Sequence, residues 1–317
     1  MGSTMSEVAI DVFPWVQVYK DGTINRLAGT ETAPQGLDPD TGVLSKDVVI
    51  VKETGVSVRF YRPNLAKSGE KLPLVVYFHG GAFLIATTAE LKYHTCLNKL
   101  VSQANVIVAS VNYRLAPEHP LPAAFEDSWD AVQWIADHNK ESSMDESEPW
   151  IKDYVDFDHV FLSGDSAGAT IAHYLLCKDP KLRISGCVMI HPYFWGKDPI
   201  GAEKTDHLRR AMVDNWWNFV CVSDKGNEDP LINPFADGAP DIEKGFGSCD
   251  KLLIFVAEKD ILRDRGIYYY ERLLGCEWKG NIEVVESKEE DHVFHIFNPD
   301  SVEANNLIQK WASFINQ

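Results

Sequence analysis

The stretch FLSGDSAGATIAHYLLC, residues 161–177, decides how the rest of the chain is read. It opens apolar at Phe161 and Leu162, passes through GDSAG, and runs on into a segment of helical character. Ser166 stands between Gly164 and Gly168, where the turn is tightest. A turn needs polar residues, but it does not need a glycine two residues to either side of a serine. Glycines there let the backbone cross close under the side chain and carry the hydroxyl out of the sheet. A strand, a G-x-S-x-G turn and a helix, in that order, present a serine as a nucleophile, with the helix N-terminus adding partial positive charge beside it. The competing reading is a plain serine helix cap. The two readings differ in what the remainder of the chain must supply.

A serine hydroxyl is a poor nucleophile at neutral pH. It needs a base, an acid to orient the base, and donors for the oxyanion. PLVVYFHGGAF, residues 73–83, ends an apolar run in His79-Gly80-Gly81, and glycines expose successive N–H groups. Such a loop stands opposite the elbow in lipases and esterases. The expected donors are Gly80, Gly81 and Ala167, with His79 holding the loop by hydrogen bonds. Acid and base should follow the serine in the order Asp, His. KLLIFVAEKD, residues 251–260, ends at Asp260, at the strand edge where Ser166 also emerges. Glu258, Asp264 and Asp250 compete for the role, although Asp264 falls in a helical pattern and reads as a capping or solvated charge. The last strand pattern, 281–286, is followed by SKEEDHVFHIF, which offers His292 and His295. His292 follows a polar loop and can reach the rim, whereas His295 is expected to pack.

Strand patterns at Asp47–Val51, Val56–Tyr61, Leu72–Phe78, Val106–Val111, Val160–Ser163, Cys187–Ile190, Leu252–Ala257 and Ile282–Val285 alternate with helical ones. The helical patterns cover Glu90–Gln103, Ala123–His138, Ala167–Cys177, Asp264–Leu274 and Val302–Phe314. Continuous β-branched runs suit strands buried on both faces, so the fold class is α/β, with a mainly parallel central sheet flanked by helices. Two segments break the alternation: residues 1–46, and the Trp-, Pro- and Gly-rich 196–249. The expectation is one domain over 1–317 with a small cap built from these two segments, Trp216 or Trp217 lining the lid and Phe83 packing with them and the cap to set the pocket's size.

The 317 residues carry a net charge of −17, which argues against a nucleic-acid surface and fits a neutral or apolar small-molecule ligand. No apolar run approaches a membrane span, and no leader pattern is seen at the start, so a cytoplasmic protein with no membrane partner is expected. The Met1–Ser6 pattern for myristoylation is short and is discounted. The six cysteines lack CxxC spacing, which favours reduced thiols over a disulfide frame or a zinc site. Nothing in the chemistry calls for a metal or cofactor, and oligomeric state is not legible.

HGGAF (79–83), NYRLAPEHPLPAAFED (112–127), GDSAG (164–168), AEKD (257–260) and EDHVFH (290–295) together resemble the plant carboxylesterases, hormone-sensitive-lipase-like α/β-hydrolases. The likeness runs from VYKDGTINRL (18–27) and DPDTGVLSKDVVI (38–50) to WASFIN (311–316). It implies an α/β-hydrolase fold, Ser166 as nucleophile, Asp260 and His292 as its partners, and Gly80, Gly81 and Ala167 as oxyanion donors. It further implies Tyr113 at the substrate, an ion pair between Arg114 and Glu118, and hydrolysis of short acyl esters of plant metabolites without cofactor or metal. Gibberellin receptors resemble the same fold but lack the histidine that His292 supplies here. Dehydratases and cyclases of specialised metabolism are the alternative. Thr170 departs from the asparagine usual among such relatives.

Overall fold

The computed structural model describes residues 7–139, 148–178, 180–242 and 245–317; the myristoylation pattern at 1–6 lies outside them. Three short strands, β1 (Val8–Val12), β2 (Val16–Tyr19) and β3 (Ile24–Arg26), form a small antiparallel sheet. The central sheet has nine strands: β4 (Leu37–Asp38), β5 (Val43–Val51), β6 (Val56–Pro63), β7 (Leu72–Phe78), β8 (Ile107–Asn112), β9 (Val155–Asp165), β10 (Ile184–Ile190), β11 (Lys251–Ala257) and β12 (Asn281–Ser287), in the order β12-β11-β10-β9-β7-β8-β6-β5-β4. From β8 through β12 the pairs are parallel; β4, β5 and β6 add an antiparallel edge. The sheet therefore already takes in Leu37–Asp38 and Val43–Lys46, inside the stretch 1–46 that sequence alone assigns to a cap.

Period-two alternation sorts the strand side chains between two cores. In β7, Leu74, Val76 and Phe78 face one layer, while Val75 and Tyr77 face the other. The first layer is closed by α2 (Ala123–Asp137), α4 (Ala167–Cys177) and α6 (Arg263–Leu274), and the second by α1 (Leu91–Ala104) and α8 (Val302–Ile315). Two short helices, α3 (Pro149–Tyr154) and α7 (Phe294–Phe297), join neighbouring elements. All six cysteines are free. No helix among the described residues is long and apolar enough to cross a membrane.

The segment after β10 carries a 3-10 turn (Gly201–Lys204) and α5 (His207–Val220). A buried ionic cluster fastens it to α6. Glu203, fully buried, accepts from Arg265 Nε at 2.7 Å and from Arg210 at 2.7 Å. Both guanidiniums also face the Trp195 ring. Removing one member of such a cluster strands the others without a counter-charge. Glu203→Ala is expected to cost about 3 kcal/mol, read as a fall of roughly 5 °C in Tm by thermal unfolding. The N-terminal sheet meets α5 through Trp15 and Trp216, whose ring centroids lie 5.7 Å apart, and Trp216 donates its indole N–H to Phe13 O.

Candidate active site

Parallel strands end on one rim, so the residues that follow β7, β9, β10, β11 and β12 gather there. At the end of β9 the chain turns through Ser166 at φ 50° and ψ −119°, a backbone conformation that side chains rarely adopt. The flanking glycines permit it. A Cβ on Gly164 would come within 2.4 Å of the Gly168 carbonyl, and one on Gly168 within 1.9 Å of Phe78 O. Strand β7, the elbow and the start of α4 are thus in backbone contact beneath the serine.

Ser166 Oγ lies 2.9 Å from His292 Nε2, and His292 Nδ1 lies 2.7 Å from Asp260 Oδ2. Asp260 is almost wholly buried, and its second oxygen accepts from Leu262 N at 2.9 Å, which fixes the carboxylate plane. The pairing places the proton of Nδ1 on the aspartate side and leaves Nε2 to accept from the serine. Burial, the largest influence, pulls the His292 pKa down, but Asp260, then Asp165 and Asp291, more than offset it and hold the imidazole above its ordinary 6.5. Ser166 and His292 open on a cavity of about 440 Å³ whose other walls include Trp15, Ile85, Tyr193, Met212, Val213, Trp216 and Phe297.

A family model described as alpha/beta hydrolase fold matches residues 75–296, and one described as carboxylesterase family matches 25–118. The chain is 57% identical to "Probable carboxylesterase 2" of Arabidopsis thaliana over 100% of its own length and 99% of that protein's. The chain belongs to the carboxylesterase family of α/β-hydrolases. A "2-hydroxyisoflavanone dehydratase" from Glycyrrhiza echinata is also 40% identical, over 99% of this chain and 98% of the relative. Among solved structures, an esterase of Pyrobaculum calidifontis superposes with a TM-score of 0.68 at 28% identity, covering 86% of this chain and 84% of that one.

Within this carboxylesterase-family chain several expectations need correction. Gly80 is not a free donor: its N–H is directed to Tyr93 Oη and Asp165 Oδ1, each at 3.0 Å. The glycine is needed for close approach, because a Cβ would sit 2.4 Å from Asp165 Oδ2. Gly81 and Ala82 line the cavity beside Ser166 instead, and among the described residues their N–H groups and that of Ala167 have no hydrogen-bond partner. Tyr113 does not reach the cavity. It stacks on His79 at 4.3 Å and donates to His79 O. Phe83 and Trp217 are also buried away from it, packed against each other and against Tyr193. Of the four expected pocket residues, only Trp216 is a wall. The expected Arg114–Glu118 pair is replaced by two others, since Arg114 grips Asp127 and Glu118 grips Arg26. Arg26 lies 92 residues from Glu118, whereas Asp127 closes the same motif that holds Arg114, 13 residues on.

The remaining candidates have structural duties. Glu258 accepts from Glu289 N, Asp264 accepts from Ala202 N and so pins the 3-10 turn, and His295 is fully buried. His79 Nδ1 donates to Gly80 O, and burial lowers its pKa to about 4, so the ring is neutral. Thr170 donates to Tyr193 O.

Two residues not singled out from the sequence support the site. Asp165 is fully buried under the serine, held by Tyr77 Oη at 2.6 Å and Tyr93 Oη at 2.9 Å; burial raises its pKa to about 6 against these donors. It sits in the GDSAG motif itself, where a buried acid next to the nucleophile was the available signal. His191 Nδ1 accepts from Val293 N at 2.8 Å, bracing the loop just after His292. Among the described residues, His191, Asp260 and His292 form the grouping with metal-ligand chemistry, their atoms within 4.8 Å. The atoms of Asp260 and His292 are already committed to each other and to Ser166.

Proposed function

We propose that the protein is a serine carboxylesterase working through an acyl-enzyme on Ser166. The observation that carries this is the continuous chain Ser166 Oγ, His292, Asp260 at the floor of an apolar cavity. His292 Nε2 takes the Oγ proton as the oxygen attacks the ester carbonyl. Gly81, Ala82 and Ala167 N–H groups receive the oxyanion, and losing one such donor typically costs about 3 kcal/mol of transition-state stabilisation. The bond to the alcohol breaks as the protonated His292 returns its proton to the leaving oxygen. Water, deprotonated by the same nitrogen, then attacks the acyl carbon and releases the acid and Ser166. Asp260 keeps the imidazole in the required tautomer throughout.

Residues 7–36 together with 196–249 act as a cap: Trp15 and Trp216 come from the two segments and meet over the cavity. The substrates are short acyl esters of plant metabolites, placing the enzyme in specialised metabolism. Six free thiols support a reducing, cytoplasmic setting. The test is hydrolysis of p-nitrophenyl acetate and butyrate together with fluorophosphonate labelling mapped by peptide mass. Turnover with the label on Ser166 supports the reading, and an inert, unlabelled protein overturns it.

The base must be neutral to accept a proton, so activity follows deprotonation of His292 and rises with pH. Because the carboxylates hold its pKa above 6.5, the acid limb of kcat/KM is expected to have its midpoint above that value. Asp260→Asn is expected to shift the limb to lower pH as well as depress the rate. A wild-type midpoint below the ordinary imidazole value would contradict the arrangement.

The dehydratase among the relatives favours a second reading, elimination with His292 as base and the same donors holding a carbonyl or enolate. In that case turnover of the eliminating substrate survives loss of the Ser166 hydroxyl.

A further inference from the structure

We infer that the cavity selects esters bearing a hydroxyl group on an otherwise apolar, aromatic skeleton, and that Glu90 reads that hydroxyl. This rests on the esterase reading and specifies its substrate class.

Glu90 is only 5% exposed, yet it lines the cavity that Ser166 opens on. Its backbone is occupied, with N–H donating to Thr87 O and C=O accepting from His94 N. Its side chain caps α1, and Oε2 accepts from Tyr93 N at 3.0 Å. The other oxygen, Oε1, has no protein partner among the described residues, and it is not one of the sealed buried polar atoms. We place its access at the cavity, which Glu90 lines. Capping needs one oxygen, and serine or aspartate supplies it with a shorter side chain. The glutamate therefore holds a second acceptor toward the space where substrate lies, in a wall where an unbonded polar group is costly.

The other acids lining the cavity are spoken for: Asp260 bonds His292, and Asp291 faces Arg209 at 3.4 Å. Lys92 lines the same wall, with its ammonium 4.7 Å over the Phe297 ring. A positively charged substrate group would have to give up its hydration in an apolar setting. A neutral hydroxyl brings no charge and donates to Oε1. A carboxylate can only accept, so an analogue lacking the hydroxyl leaves that oxygen stripped of water and unpaired. The aromatic walls, Trp15, Tyr193, Trp216 and Phe297, suit a ring as the carrier.

The test compares phenyl acetate with 2-, 3- and 4-hydroxyphenyl acetate, whose leaving groups have nearly equal acidity. The wild type is expected to favour at least one hydroxylated isomer by about 10-fold or more in kcat/KM. In Glu90→Ser, which retains a capping oxygen but withdraws the carboxylate, the ratio is expected to fall to within about threefold of unity. Glu90→Gln, which keeps an acceptor oxygen, is expected to lie between. Each ratio is taken within one preparation, so a partly folded variant does not distort it. Absence of any hydroxyl preference in the wild type, or its full survival in Glu90→Ser, overturns the inference while leaving the esterase intact. Failure of the wild type to cleave any of the four esters, or p-nitrophenyl acetate, overturns the esterase reading and this inference with it.

Discussion

Replacing Ser166 by alanine is expected to lower p-nitrophenyl ester hydrolysis by about 10⁵-fold, to a residue of activity near the background reaction. The size follows from the geometry. In the proposed mechanism the Ser166 oxygen forms the acyl bond, and without it His292 Nε2 and Asp260 have no nucleophile of the enzyme to activate. Members of such a relay act as one unit, so removing the first member removes nearly all of what the three supply together. The proposed donors at Gly81, Ala82 and Ala167 remain, so substrate affinity should change far less than kcat. Steady-state kinetics of the purified variant, with burst-free progress curves, read both quantities. Retention of even a hundredth of the wild-type rate would remove Ser166 from the chemistry. If a dehydratable substrate were instead turned over at an undiminished rate, elimination would be the reaction.

The second large effect concerns folding. Gly168→Ala places a Cβ 1.9 Å from Phe78 O, far inside any allowed contact, and the obstructing atom is backbone in the middle of the sheet. No rotamer relieves it. Strand β7 and the start of α4 must separate, taking the elbow with them, or the variant fails to reach the native state. A loss of at least about 4 kcal/mol is expected, beyond what ordinary core overpacking costs. It would appear as insoluble expression or as a collapse of the urea midpoint. An alanine variant with native stability and full activity would mean that strand and helix do not cross here. By contrast, Glu203→Ala disturbs a cluster at the edge of the fold and leaves the sheet intact.

Much of this arrangement was legible in the sequence. The inner strands β7, β8, β10 and β11 announced themselves as apolar runs because central parallel strands are buried on both faces. Ser166, Asp260 and His292 were findable because a parallel sheet orders its rim by chain position, and each residue follows a strand. What stayed hidden has physical reasons. Strands β1–β4 are short, and four of the five β1 residues are exposed, so they carry no alternation to detect. Helix α5 does carry a helical spacing, at Met212, Val213, Trp216, Trp217 and Val220, but it lies in a segment rich in turn residues. Neighbours on a helix point about 100° apart, and here the tryptophan pair divides, Trp216 lining the cavity and Trp217 turning into the core. Gly80 looked like a donor because composition shows that an N–H is exposed to approach, not which partner it meets. Only the fold brings Tyr93 and Asp165 to it. Arg114 and Glu118 are four apart in sequence, yet each found a better partner across the structure.

The cavity takes its reacting groups from strand ends and much of its lining from elsewhere: Trp15 from the small N-terminal sheet region, and Met212, Val213 and Trp216 from α5. These two origins let chemistry and choice of substrate be inherited separately. Substitutions at the cavity-facing positions of these segments touch no strand of the parallel core, provided that Arg209 of α5 keeps its bonds to Lys259 O and Asp291 beside the relay. A gene duplicate can thus drift toward a new ester by altering two short stretches of sequence while the costly machinery is copied unchanged. The joint where those stretches meet, Trp15 against Trp216, is the point at which the two lineages of change must stay compatible.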